Sequence, residues 1–312
     1  MTHLIAPNCF SSEQQAKAYI RDCEQQFTRQ VVDLTDRLLG VKHLRWIGLS
    51  GPTCSGKTTA ADILTEHFQM AGRRVHPISV DNFFKEQRDA RDNARKTGEQ
   101  DKIDFDSIDA LDLDLFARCL SELMTNHRTM LPVYDLSTGH RDHFEELQIV
   151  DSDDVLLFEG IQVVYPEVDA LLRQHCYQNI FIHVGQSLQV GEAQYAPEEI
   201  RLFRRLVRDY YFRSSSAEFT LYLWDSVRDN EKKSILPYAD RCDAQLNSLM
   251  GYEIGMLRPH LEKVLAKVPQ GSAYRDKADA ILQHVHESMA QPLSNQWLPS
   301  HALYREFVSL HS

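Results

Sequence analysis

Gly51-Pro52-Thr53-Cys54-Ser55-Gly56-Lys57-Thr58-Thr59 is the stretch of this chain whose residue types and spacing most directly imply chemistry. It fits G-x-x-x-x-G-K-[ST], a loop whose backbone N–H groups turn inward around phosphate oxygens. Lys57 would reach the β- and γ-phosphates of a nucleotide, and the Thr58 hydroxyl would ligate Mg²⁺. The flanks supply the context this needs. Leu44–Leu49 is a short apolar run that reads as a buried strand, and Thr59–Leu64 opens a helix with Gly72 as its C-cap. The helix N-terminus adds its partial positive charge to the loop. Cys54 sits inside the loop, where that charge favours a reactive thiolate; a buried, inert thiol is the equally open alternative.

Two acidic strand ends are candidates to work with the loop. Arg74–Val80 reads as a second strand, which delivers Asp81-Asn82-Phe83-Phe84 to the carboxyl end of the sheet, one sheet position from the phosphate loop. A carboxylate there can accept a proton or hold Mg²⁺; a turn or N-cap aspartate is the alternative. Val155–Phe158 is a buried strand ending in Glu159, a second acidic group able to balance a metal ion. Further on, Glu198–Phe212 carries Arg201, Arg204, Arg205 and Arg208 at i, i+3, i+4 and i+7, with Arg213 just beyond. Stacked like charges oppose a helix unless anions face them. The arginines are read as a phosphate-sensing lid over 198–216, against a solvated face partly paired with Glu198 and Glu199.

The remaining elements position these groups. Ser12–Leu39 is a long amphipathic helix with Ile20, Cys23, Phe27, Val31, Leu34 and Leu38 on one stripe, a Ser12/Gln15 capping box and Gly40 at its end. Residues 86–104 are charged and read as a surface loop. Residues 106–124 form a helix with Asp109 near its N-cap. Met130–Leu136 and 146–150 form a hairpin around Gly139, and 179–184 gives another strand. Residues 217–227 and 239–268 contain further helical material and 274–289 reads as another amphipathic helix, packed onto the core rather than forming an independent domain.

The chain has 312 residues, 43% of them hydrophobic, enough for a large core. A formal net charge of -11 argues against a general nucleic-acid or acidic-membrane binder, which must overcome repulsion from polyphosphate. No apolar run approaches membrane-spanning length, and residues 1–10 have no signal-peptide pattern. Six scattered cysteines without a C-x-x-C pair read as reduced thiols in a cytoplasmic protein, and no His/Cys spacing fits zinc.

The order of motifs resembles the uridine kinase/phosphoribulokinase family of P-loop kinases, closest to a bacterial nucleoside kinase branch. The matching pieces are Gly51–Thr59, 79–84, Asp104-Phe105-Asp106, Pro132-Val133-Tyr134-Asp135, Phe158-Glu159-Gly160 and Arg201–Asp209. Trp224-Asp225-Ser226-Val227, 235–240, Asn247-Ser248, Tyr252-Glu253 and Arg305-Glu306-Phe307 extend it. The resemblance implies a three-layer α/β fold with a central parallel sheet. It divides the chain into a helical extension, 1–40, and a kinase domain, 41–312, with a helical C-terminal part. It implies ATP and Mg²⁺ as cofactors. Asp81 becomes the catalytic aspartate, aided by Lys57, Arg204 and Arg205. Thr58, Asp81 and Glu159 become the Mg²⁺ set. Phe84, Asp106, Tyr134, Arg201 and Arg208 become the substrate side, with Asp106 on sugar hydroxyls. Two departures stand out: Leu136 occupies a position that is commonly aromatic, and Gly139 followed by His140 replaces a histidine near the hairpin turn.

The leading expectation is transfer of a phosphoryl group from ATP to a nucleoside 5′-hydroxyl, with weak selectivity for uridine. A sugar-phosphate kinase is the runner-up. A nucleotide-dependent switch is the reading from another class; against it, there is no N-K-x-D or L-S-G-G-Q motif, and Asp81, Asp106 and Tyr134 have no use in a pure switch. The implied partner is a small-molecule acceptor, with neither nucleic acid nor membrane, and homo-oligomerisation is left open.

Overall fold

The computed structural model describes residues 3–86, 107–135, 138–149, 151, 153–175 and 177–308. Asp104, Phe105, Asp106 and Leu136 therefore lie outside the described residues, as does most of the charged stretch 86–104. Among the described residues no helix is long and apolar enough to cross a membrane.

A five-stranded, all-parallel sheet forms the centre, with helices on both faces. In chain order β1 is His3–Ala6, α1 Glu13–Leu39, β2 Trp46–Ser50, α2 Lys57–Met70 and β3 Val75–Ser79. Then come α3 Leu113–Asn126, β4 Arg128–Asp135, β5 His140–Gln148, β6 Val155–Glu159, α4 Pro166–Leu172 and β7 Tyr177–His183. The rest are β8 Ser187–Val190, β9 Ala193–Tyr195, α5 Pro197–Phe212, α6 Ala217–Asn230, β10 Ala244–Asn247, α7 Glu253–Leu265 and α8 Arg275–Glu287. The central order is β10-β7-β2-β6-β3. β2 and the first four residues of β6 are wholly buried, as strands covered on both faces must be, which is why they read as unbroken apolar runs.

Two expectations are corrected here, and a third element was not foreseen. β6 lies between β2 and β3, so Asp81 is two sheet positions from the phosphate loop rather than one. The N-cap of α3 is Asp112, whose carboxylate accepts from Leu115 N–H at 3.0 Å; Asp109 belongs to a separate short turn. The stretch from 239 holds the helical material expected of it, in α7, and also the edge strand β10, paired in parallel with β7. Its four residues are too few to show a period of two. A three-stranded sheet, β1-β8-β9, was also not legible, because β1 is a short strand held by a partner about 180 residues downstream.

α1 follows the sequence closely. Ser12 caps it by accepting from Gln15 N–H at 3.2 Å, and Gly40 ends it. Its apolar stripe is not peripheral: Ile20, Phe27, Val31, Leu34 and Leu38 belong to the same buried cluster as Leu49, Leu64 and Ile182 of the sheet layers. At the end of α2, Gly72 N–H bonds Gln69 O and Arg73 N–H bonds Phe68 O, a helix-terminating pair that suits the left-handed Gly72. A second cluster, including Phe83, Phe84, Phe116, Tyr134 and Phe158, packs α3 and the β4–β5 hairpin against the far side of β6.

Candidate active site

The sheet register brings the acidic residues and the phosphate loop to one edge. Glu159 stands opposite Leu49 of β2 on one side and Ser79 of β3 on the other. The chain leaves β2 into the loop at Gly51, and leaves β3 into a short 3-10 turn, Val80–Phe83, that carries Asp81. All three sets thus sit at the carboxyl ends of adjacent strands, where open α/β sheets place their ligands.

The loop is shaped to approach a ligand closely. A Cβ on Gly51 would come within 2.0 Å of Ile182 O, so only glycine lets β2 turn there. Gly56 adopts φ 88°, a left-handed backbone that leads into the first turn of α2. Cys54 also has positive φ and is 3% exposed, so its thiol faces protein rather than solvent. Ser55 Oγ is buried and has no partner among the described residues. Lys57 folds over its own loop, donating to Gly51 O at 3.0 Å and Pro52 O at 3.3 Å.

Lys57 is the cation around which the acids gather. Burial pushes the Asp81 carboxyl up, and the Lys57 and Arg213 charges oppose that rise. Glu159 is pushed up to about 7, chiefly by burial, with Asp81, Glu306 and Asp62 adding their negative charges and Lys57 opposing. Such a concentration of carboxylates is costly in isolation and calls for a cation. Among the described residues no three acidic, histidine or cysteine side chains are close enough together to hold a metal by themselves. Thr58, Asp81 and Glu159 are oxygen donors of the kind that would suit Mg²⁺, which keeps waters and takes substrate phosphates as further ligands.

On the acceptor side, the hairpin is seated on the Asp81 turn. Tyr134 N–H donates to Asn82 Oδ1 at 3.2 Å, its hydroxyl donates to Lys85 O at 3.4 Å, and its ring meets Phe84 edge-on at 5.6 Å. Phe84 and Tyr134 are thus brought together, both largely buried.

α5 is embedded, with Arg204 0% and Arg201 3% exposed. Arg204 spans Glu253 with both ends of its guanidinium, at 3.0 and 2.5 Å, and also donates to Ser248 O at 2.7 Å and Cys54 O at 3.0 Å. Arg201 pairs with Glu231 at 2.5 and 2.7 Å and donates to Thr53 O at 3.2 Å. Arg204 and Arg201, expected as a catalytic group and a substrate ligand, are each engaged by a buried carboxylate and each donate to a carbonyl of the phosphate loop. Arg205 and Arg208 converge on Asp209 at 3.2 and 2.7 Å, joined by the more exposed Arg213 at 3.8 Å. Burial opposes it, but Arg208, Arg205 and Arg213 hold the Asp209 carboxyl below the usual range. Burial likewise opposes ionisation of Glu231, yet Arg201 and Arg228 hold its carboxyl low.

Sequence reasoning quoted Asp209, Glu253 and Glu306 among the matching pieces without giving them a role, and did not name Glu231. Only Asp209 carried a local signal, four residues after Arg205. The others lie 30 to 49 residues from their arginines, or 247 residues from Thr59 in the case of Glu306.

A family model described as Phosphoribulokinase / Uridine kinase family matches residues 46–254. Similar proteins include a chloroplastic uridine/cytidine kinase of Arabidopsis thaliana, 24% identical over 245 residues, covering 78% of this chain and 42% of that one. The uridine kinase of Saccharomyces cerevisiae is 27% identical over 266 residues, covering 80% and 48%. Among solved structures, that of the YGR205w protein matches with a TM-score of 0.50 at 12% identity, over 69% of this chain and 89% of that one, a likeness of fold alone. The chain spans less than half the length of the first curated relatives it matches. Because the family match runs from the strand that feeds the phosphate loop to the first turn of α7, it takes in every strand of the central sheet, and the chain belongs to the phosphoribulokinase/uridine kinase family.

Proposed function

We propose that this protein is an ATP-dependent kinase that transfers the γ-phosphoryl group to the 5′-hydroxyl of a nucleoside. The observation that carries this reading is the register that sets Glu159 between the phosphate-loop strand and the Asp81 strand, with Lys57 acting on both carboxylates. Phosphoryl transfer needs positioning and charge neutralisation more than covalent chemistry. The loop N–H groups and Lys57 would hold the phosphates. Asp81, at the foot of the acceptor side, would orient the hydroxyl and accept its proton, and its raised affinity for protons suits that task. Thr58 and Glu159 would hold Mg²⁺, which neutralises charge on the phosphate oxygens when bound. Phe84 and Tyr134 wall the acceptor side next to Asp81, and Asp106 is assigned to the ribose hydroxyls.

A sugar phosphate is the second acceptor class, and one observation favours it. Arg205, Arg208 and Arg213 share the single carboxylate of Asp209, which leaves an excess of positive charge beside the site. That excess would suit a substrate phosphate as well as the transferring one.

The test is ADP formation from Mg²⁺-ATP with uridine, cytidine, adenosine, guanosine and ribulose 5-phosphate offered separately. Nucleoside-stimulated turnover is the expected result. Turnover with the sugar phosphate alone would move the assignment to the second class. Saturable ATP binding without any acceptor effect would replace a kinase by a nucleotide-binding regulator.

A further inference from the structure

The segment Leu303–Val308 lies downstream of the family match, yet it packs directly on the phosphate loop. A Cβ on Gly56 would meet Leu303 Cδ1 at 2.7 Å. Leu303 N–H donates to Glu24 Oε2 of α1 at 2.9 Å. The Tyr304 hydroxyl donates to Glu253, and the Arg204 guanidinium lies 5.5 Å from the Tyr304 ring and 5.1 Å from that of Phe307. The segment is therefore locked to α1, α5 and α7 before it presents its one acidic side chain. That side chain is Glu306, whose Oε2 accepts from Thr59 Oγ1 at 3.2 Å. Burial pushes its carboxyl up, and the charges of Lys57, Arg208 and Arg204 oppose that rise.

We propose that Glu306 is a positioning residue of the nucleotide site, which fixes the Thr59 side chain and makes nucleotide binding depend on a divalent cation. The inference rests on the nucleotide-site reading above. A fixed carboxylate beside the loop repels a bare polyphosphate and competes with it for Lys57 and the Thr59 hydroxyl. A divalent cation arriving with the nucleotide offsets most of that repulsion, because it cancels two of the nucleotide's negative charges and itself attracts the carboxylate. Glu306 thus penalises metal-free nucleotide and favours the metal-bound form. The tight packing of Leu303, Tyr304 and Phe307 prevents the carboxylate from swinging away, so the penalty is built into the fold.

The experiment compares wild type with Glu306→Gln and Glu306→Ala by calorimetric titration of ADP, once in Mg²⁺ and once in EDTA, at pH 8. Glutamine keeps an oxygen acceptor for Thr59 and removes only the charge. The expected result for Glu306→Gln is ADP binding in EDTA about tenfold tighter, so that the ratio of the two dissociation constants falls by roughly the same factor. Glu306→Ala should move the ratio in the same direction. A purely structural role predicts a lowered Tm with both constants weakened together and an unchanged ratio; that outcome overturns the proposal. Wild-type protein that binds ADP in neither buffer overturns the nucleotide-site reading itself, a distinct failure.

Discussion

Replacing Arg204 by methionine separates a structural arginine from a catalytic one. The guanidinium is fully buried and donates to both oxygens of Glu253, to Ser248 O and Oγ, and to Cys54 O. Methionine fills part of the volume but leaves Glu253 buried, with the Tyr304 hydroxyl and the Met250 N–H, at 2.8 Å, to satisfy it among the described residues. Removing one partner of a buried ion pair costs about 3–5 kcal/mol, because the other charge is left uncompensated. Domains are typically stable by about 5–15 kcal/mol, so this loss is a large part of the total. In urea unfolding followed by circular dichroism, Arg204→Met should lower the midpoint sharply. Adding Glu253→Gln should restore much of the loss, since the stranded charge is then gone. Arg204→Lys should fall between, as lysine keeps the charge but cannot span two carboxylate oxygens and two backbone carbonyls. One result would refute this reasoning: an Arg204→Met variant with the wild-type midpoint and kcat lowered by about 10³-fold or more, the signature of an arginine facing the transferring phosphoryl group.

Asp81→Asn should retain ATP binding, measured by calorimetry, and lose turnover by roughly 10²–10⁴-fold, as expected of a lost general base; wild-type turnover would reduce Asp81 to a turn residue. Lys57→Ala should fold normally and lower kcat by about 10²-fold or more, because a preorganised cation facing the developing charge is gone. In metal-free protein, Glu159 keeps its proton up to about pH 7, whereas in the unfolded chain it loses it near pH 4.5. The native state therefore binds more protons in that window, and stability should fall as pH rises through it and level off above. The contribution is about 3 kcal/mol for a shift of this size, and Glu159→Gln should flatten that part of the Tm–pH profile. Cys54, 3% exposed, should react with iodoacetamide far more slowly than the exposed Cys9; rapid labelling of Cys54, identified by comparison with Cys54→Ser, would show that the loop opens.

What the sequence determined by itself was the chemistry at strand ends. The phosphate loop, its flanking strand and helix, and the acidic termini of two further strands are all local patterns. They were legible because hydrophobic runs, glycines and a lysine at fixed spacing act within a few residues of one another. α1 was legible for the same reason, since a 27-residue stripe repeats its period many times. The tertiary structure decided the rest. It placed the Glu159 strand between the loop and Asp81, which strand order alone can do, because parallel strands carry no local record of their neighbours. It turned Arg201 and Arg204 inward. A helical face of arginines looks the same in sequence whether its anions are phosphates or buried glutamates, and here Glu231 and Glu253 arrive from α6's continuation and α7. It also brought Glu306 to Thr59 across 247 residues. Spacing rules reach one helical turn or one hairpin; the partner of a carboxylate delivered by the packing of Leu303, Tyr304 and Phe307 is not legible until the chain is folded.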